Sequence, residues 1–65
     1  MSDATVVIQC AVIGAETPKA VRVETDDGRE VWLPWSQVTE IHRSSESKGG
    51  RVRVSEWFAR KEDLL

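Results

Sequence analysis

Glu30-Val31-Trp32-Leu33-Pro34-Trp35-Ser36-Gln37-Val38 holds two of the chain's three tryptophans and one of its two prolines. It starts as a strand, with Val31 and Leu33 alternating against Glu30 and Trp32. Pro34 has no N–H to give to a ladder, so the strand ends or meets a sheet edge there. Trp35-Ser36-Gln37 is expected to form a short turn, up to one helical turn with Ser36 as its cap. Val38-Thr39-Glu40-Ile41-His42-Arg43 resumes as a short strand of weaker pattern.

Working backwards, Lys19-Ala20-Val21-Arg22-Val23-Glu24-Thr25 alternates cleanly, and Asp26-Asp27-Gly28 closes a hairpin onto Glu30–Leu33. A two-residue loop at Asp27-Gly28 would put Val31 and Leu33 on the charged face. A three-residue loop with Gly28 left-handed pairs Val23 with Val31 and Val21 with Leu33. A one-residue slip undoes every apolar match, so the three-residue loop is expected. Trp32 then lies on the outer face beside Glu30 and across from Arg22. It is covered there by another strand or by the C-terminal helix, or it is an exposed anchor for a base or a partner.

Before the hairpin, Thr5-Val6-Val7-Ile8-Gln9-Cys10-Ala11-Val12-Ile13 is β-branched and almost continuously apolar. It reads as a central strand with both faces covered, or as a strand curling round a small barrel. Simple alternation puts Val6, Ile8, Cys10 and Val12 on one face, and Val7, Gln9, Ala11 and Ile13 on the other. Gly14–Pro18 is a turn or short loop. After the central stretch, Ser44–Gly50 is a flexible Ser/Lys/Gly loop. Arg51-Val52-Arg53-Val54 is a strand with its valines inside. Ser55 caps a helix of about two turns, Glu56–Glu62, with an acid in the first turn. Too short to persist alone, that helix must dock by Phe58, with Trp57 or Leu64 beside it. The expected fold is mostly β: one domain over residues 1–65, about five antiparallel strands curled toward a barrel, and a short C-terminal helix.

Sixty-five residues give a thin core, burying only about 60% of the unfolded surface. One cysteine excludes an internal disulfide, and one His with one Cys cannot make a structural zinc site. No cofactor or metal is expected. The start Met1-Ser2-Asp3-Ala4 lacks a basic n-region, and no apolar run approaches a membrane span, so a cytoplasmic location is expected. Residues 1–30 carry three bases against six acids, net −3, and residues 31–65 six against five, net +1. That balance argues against a protein coating phosphates by bulk charge.

Catalytic chemistry finds little support. His42 is the one imidazole, on a weak strand, and reads as a surface residue. Cys10 reads as a small buried hydrophobe. Gly49-Gly50 lacks the flanking residues of a phosphate loop. The protein is therefore expected to bind rather than catalyse. One candidate surface is the acidic hairpin Glu24, Asp26, Asp27 and Glu30 with an exposed Trp32 or Trp35; its bland reading is a solvated turn using Asp for turn chemistry. The alternative is a nucleic-acid surface of Arg22, Trp32, Arg51 and Arg53, with Arg43 extending the basic stripe. Alternating arginines are also ordinary protection of an edge strand.

Val31-Trp32-Leu33-Pro34-x-Ser36-Gln37-Val38, followed by Val54-x-Glu56-Trp57-Phe58-Ala59-x-Lys61, resembles a small module of bacteriophage and mobile-element proteins. With the strand before the hairpin, the resemblance covers residues 19–64. The chain departs from that pattern at Trp35, where a basic residue is commoner, and at Ser55, where proline is commoner. The first departure puts an aromatic where the pattern has charge, against a phosphate-binding role. In size and kind the chain is also similar to the small anti-CRISPR proteins. That likeness implies a phage-encoded inhibitor acting in the bacterial cytoplasm on a host protein or ribonucleoprotein complex, as a monomer or small homo-oligomer. The alternative implied is a nucleic-acid-binding accessory module.

Overall fold

The computed structural model describes residues 4–64; Met1-Ser2-Asp3 and Leu65 lie outside the described residues. Five strands form one antiparallel sheet: β1 (Thr5–Glu16), β2 (Ala20–Thr25), β3 (Glu30–Pro34), β4 (Val38–Arg43) and β5 (Gly50–Ser55). The helix α1 (Glu56–Lys61) follows directly. The strand order is β3-β2-β1-β5-β4, so β1 is central and β3 and β4 are the edges.

The two edges are consecutive in sequence, joined by the 3₁₀ turn Trp35–Gln37. In a flat sheet they would lie four strand spacings apart, roughly 19 Å. A 3₁₀ turn advances only about 2 Å per residue. The sheet must therefore curl until β3 and β4 approach, and it does so without pairing them, leaving the barrel open on that side. Pro34 is both the last residue of edge strand β3 and the first-turn boundary. It occupies the N-cap position with no side-chain cap, and Val38 N–H closes the turn on Trp35 O, so Ser36 lies within the turn and does not cap it.

The hairpin register is the apolar-matched one. Val23 faces Val31, Val21 faces Leu33 and Arg22 faces Trp32. Gly28 has φ +87°, and its N–H donates to Thr25 O at 2.9 Å, which closes the three-residue loop.

β1 departs from simple alternation. Cys10 pairs with Thr25, but Val12 pairs with Glu24, so one extra residue sits in β1. Such a bulge reverses the inward parity. Ile8 and Cys10 are buried before it and Ile13 after it, while Val12 is only half-buried. A second irregularity follows between Ile13 and Glu16, and β1 runs through Gly14 to Glu16, leaving a shorter turn than expected. The outer face of β1 is open rather than covered, with Val7 40% exposed and Gln9 and Ala11 exposed.

The core lies on the concave face. Val21, Val23, Leu33, Val52, Val54 and Ala59 are essentially inaccessible, closed at one end by Phe58. The Ser55 hydroxyl caps α1, accepting from Phe58 N at 3.1 Å, and donates to Gln37 Oε1 at 2.5 Å. Phe58 and Leu64 pack on the sheet, whereas Trp57 points out. The Ser44–Gly49 segment is tied down and not free. Ser44 N–H donates to Gly49 O at 2.9 Å, and Ile13 N–H to Lys48 O at 2.7 Å. Gly49 is buried, and Gly50 begins β5.

Candidate functional site

Trp32 sits at the middle of β3 with its side chain on the convex face, 47% exposed. Its neighbours on the strand, Val31 and Leu33, are buried, so the strand is fixed and only the indole is presented. Across from it, Arg22 forms an ion pair with Glu30. The indole therefore lies beside a guanidinium and a carboxylate that neutralise one another. No helix or strand covers it among the described residues, which settles the earlier choice in favour of an exposed tryptophan.

Trp35 belongs to the interior instead. It is half-buried and packed against the core. Its indole N–H donates to Thr17 O at 2.8 Å and its backbone N–H to Lys19 O at 2.9 Å. Both bonds pin the turn between β1 and β2. Trp35 is thus not an exposed anchor: a tryptophan whose polar edge finds a carbonyl is spent on the fold.

The acidic candidates gather at the hairpin tip and its flank. Glu24 and Glu30 face each other across the ladder, and Asp26 and Asp27 form the exposed tip. The tip is more ordered than a free turn. Asp27 accepts from the Thr25 hydroxyl and from Arg29 N. These bonds, the Thr25 hydroxyl first, hold its carboxyl below the usual carboxylate range. Arg29 reaches over to the end of α1, donating to Asp63 O at 2.9 Å and to Glu62 O at 2.5 Å. A cation on carbonyls freed at a helix C-terminus satisfies their unmet acceptor capacity. The hairpin and the C-terminal turn thus form one surface.

The basic candidates are not brought together. Arg51 and Arg53 face Gln9 and Val7 on β1, whereas Arg22 lies beside Gly14. Five residues of strand separate those positions, roughly 16 Å. Arg53 pairs with Glu40 at 3.5 Å and donates to Thr5 Oγ1 at 3.2 Å, and Arg43 pairs with Glu16. Most of the stripe's charge is locally compensated, and Trp32 stacks beside none of Arg43, Arg51 or Arg53 on the ladder.

On β4, Glu40 meets His42 Nε2 at 3.3 Å and Arg53. The His42 hydrogen bond, followed by the Arg53 contact, holds the Glu40 carboxyl below its ordinary value. A carboxylate with a depressed folded-state pKa contributes stability above its unfolded pKa, and that stability is lost as pH falls through the folded value. Denaturant midpoints should therefore hold steady above pH 4.5, the ordinary Glu value, and fall below it as Glu40 and Asp27 protonate. Glu40→Gln should make that decline shallower; an identical profile would contradict the assignment. Cys10 is buried, and that burial, with Asp26 nearby, pushes its thiol pKa up, away from thiolate chemistry.

Trp57, one of the two residues expected to pack beside Phe58, faces outward instead. It is 63% exposed, in the first turn of α1, with Lys61 Nζ 5.1 Å from its ring centroid. The i, i+4 spacing of Trp57 and Lys61 was the available signal. Among the described residues no three His, Cys, Asp or Glu side chains are placed to hold a metal ion, and no helix is long and apolar enough to cross a membrane. In comparisons with protein-family models, curated proteins and solved structures, nothing matches this chain.

Proposed function

We propose that this chain is a non-enzymatic inhibitor that docks, by the outer face of its β2–β3 hairpin, on a bacterial defence complex. The observation that carries the binding reading is Trp32, an indole held outward at the centre of a rigid strand. Tryptophan is the side chain most enriched where interface energy concentrates. Its immediate neighbours Arg22 and Glu30 neutralise each other, while Glu24, Asp26 and Asp27 leave the adjoining tip acidic. Such a surface suits a basic partner, and the nucleic-acid-binding channel of a defence ribonucleoprotein has that chemistry. The defence complex as target, and the bacterial cytoplasm as the place of action, come from the resemblance to phage modules and anti-CRISPR proteins. The dispersed and compensated arginines favour this reading over an accessory nucleic-acid binder.

The test is infection of bacteria carrying an active nucleic-acid-guided defence system and expressing this chain. Wild type should restore plaque formation by a targeted phage. The Asp26→Lys/Asp27→Lys variant should bind the purified complex about tenfold more slowly at low salt and lose much of that restoration. Undiminished association and inhibition by the variant would remove the acidic tip from the site.

A further inference from the structure

Six arginines lie among the described residues, and five have partners. Arg22 pairs with Glu30, Arg43 with Glu16, Arg53 with Glu40 and Arg60 with Glu56, while Arg29 holds carbonyls at the end of α1. Arg51 has neither an acid nor a carbonyl on its guanidinium. It projects from the outer face of β5, flanked by Gln9 on β1 and His42 on β4. These three side chains line an open groove of about 380 Å³ together with Arg43, Ser44 and Ser45.

The turn that brings Ser44 and Ser45 to the groove is held in place. Ser44 Oγ accepts from Glu46 N at 3.1 Å, Ser47 Oγ accepts from Gly49 N at 3.2 Å, and the Lys48 carbonyl is bound by Ile13 N–H. Gly50, also in the lining, adds no side chain to obstruct it. The groove thus offers a guanidinium fork, a carboxamide and two hydroxyls, with the His42 imidazole beside them held on Glu40 through Nε2. The nearest acid on β4, Glu40, is engaged by Arg53 and by His42, which leaves Arg51 as the groove's uncompensated charge. A carboxylate has two oxygens and would leave donors unused, whereas a phosphate presents more acceptors and suits a forked guanidinium.

We propose that this groove binds a phosphate group, with Arg51 as its principal ligand. Two sources present that group, a small phosphomonoester and a nucleic-acid strand. The site is separate from Trp32 and does not depend on the inhibitor reading.

The test is a titration of the full 15N-labelled chain, followed by amide and side-chain NMR shifts at constant ionic strength. The probes are inorganic phosphate, a nucleoside 5′-monophosphate, and a short single strand with a 5′-phosphate or a 5′-hydroxyl. Saturable shifts at Ser44, Ser45, Gly50, Arg51 and the Gln9 carboxamide are expected. Arg51→Gln should weaken binding about tenfold or more, and Trp32→Ala should leave it unchanged. Binding of the monophosphate and of the 5′-phosphorylated strand alone assigns the site to monoesters. Equal binding of both strands assigns it to internucleotide phosphate. Should Arg51→Gln fail to fold, Arg51→Met keeps the apolar stem and serves in its place. Shifts that chloride reproduces, or wild-type affinity in whichever Arg51 variant folds, would overturn the proposal.

Discussion

Gly49→Ala should remove most of this protein's stability at room temperature. A Cβ on residue 49 would stand 2.6 Å from Ala11 O and 2.9 Å from Ala11 C, with the Cys10 carbonyl closer still. These are backbone atoms of the central strand, at the bulge that turns Ile13 into the core. They cannot swing aside as a side-chain tip would, so either the bulge shifts or the β4–β5 turn lifts. Overpacking of this kind costs about 3 kcal/mol. A domain this small has roughly 3–5 kcal/mol to lose. Far-UV circular dichroism and a urea titration check it; a midpoint within error of wild type would mean that the turn does not pack on β1 as described. Gly28 is the contrast, since its Cβ would meet nothing within 4 Å and only its positive φ resists substitution.

Leu33→Ala and Trp32→Ala, adjacent on one strand, should behave as opposites. Leu33 is 1% exposed and among the largest fully buried side chains. Its truncation removes apolar contacts and leaves a cavity, costing about 2–5 kcal/mol. That is a large part of the roughly 3–5 kcal/mol that so small a domain has. Trp32 is the larger side chain by far, yet its truncation should change stability by no more than about 0.5 kcal/mol, because its indole fills no interior space. Thermal melts of the two variants check the pair. A large loss at Trp32 would mean that the indole is covered.

Much of the fold was legible because its parts obey local rules. The Asp26-Asp27-Gly28 loop has one register that matches Val21 and Val23 with Leu33 and Val31, and Pro34 can end a strand only at an edge. Ser55 before Glu56 and Phe58 announces a cap. The bulge in β1 was not legible, because Val6–Ile13 is apolar at nearly every position and carries no period to reveal a change of face. The Gly49-Gly50 pair did carry a signal of close backbone approach, but the serines before it look like any loop. Trp35 hid for a different reason. Its partner, the Thr17 carbonyl, is 18 residues away, and only the curl of the sheet brings the two together. In the six-residue helix, Phe58 was legible as the docking residue, but pattern alone could not say whether Trp57 or Leu64 packs beside it. The candidate site was legible in part: the register that buries Val31 and Leu33 also forces Trp32 outward. The compensation of Arg22, Arg43 and Arg53 by distant acids was invisible before the strands were placed.

Trp32 is the docking residue we propose, and the most direct measurement is the affinity of purified wild type and Trp32→Ala for an isolated defence ribonucleoprotein of the proposed kind. An interface tryptophan of this kind contributes about 2–4 kcal/mol, so the variant should bind roughly thirtyfold to a thousandfold more weakly while melting like wild type. Equal affinity of the two proteins would contradict the account, and so would a failure of wild type to bind or inhibit any such complex.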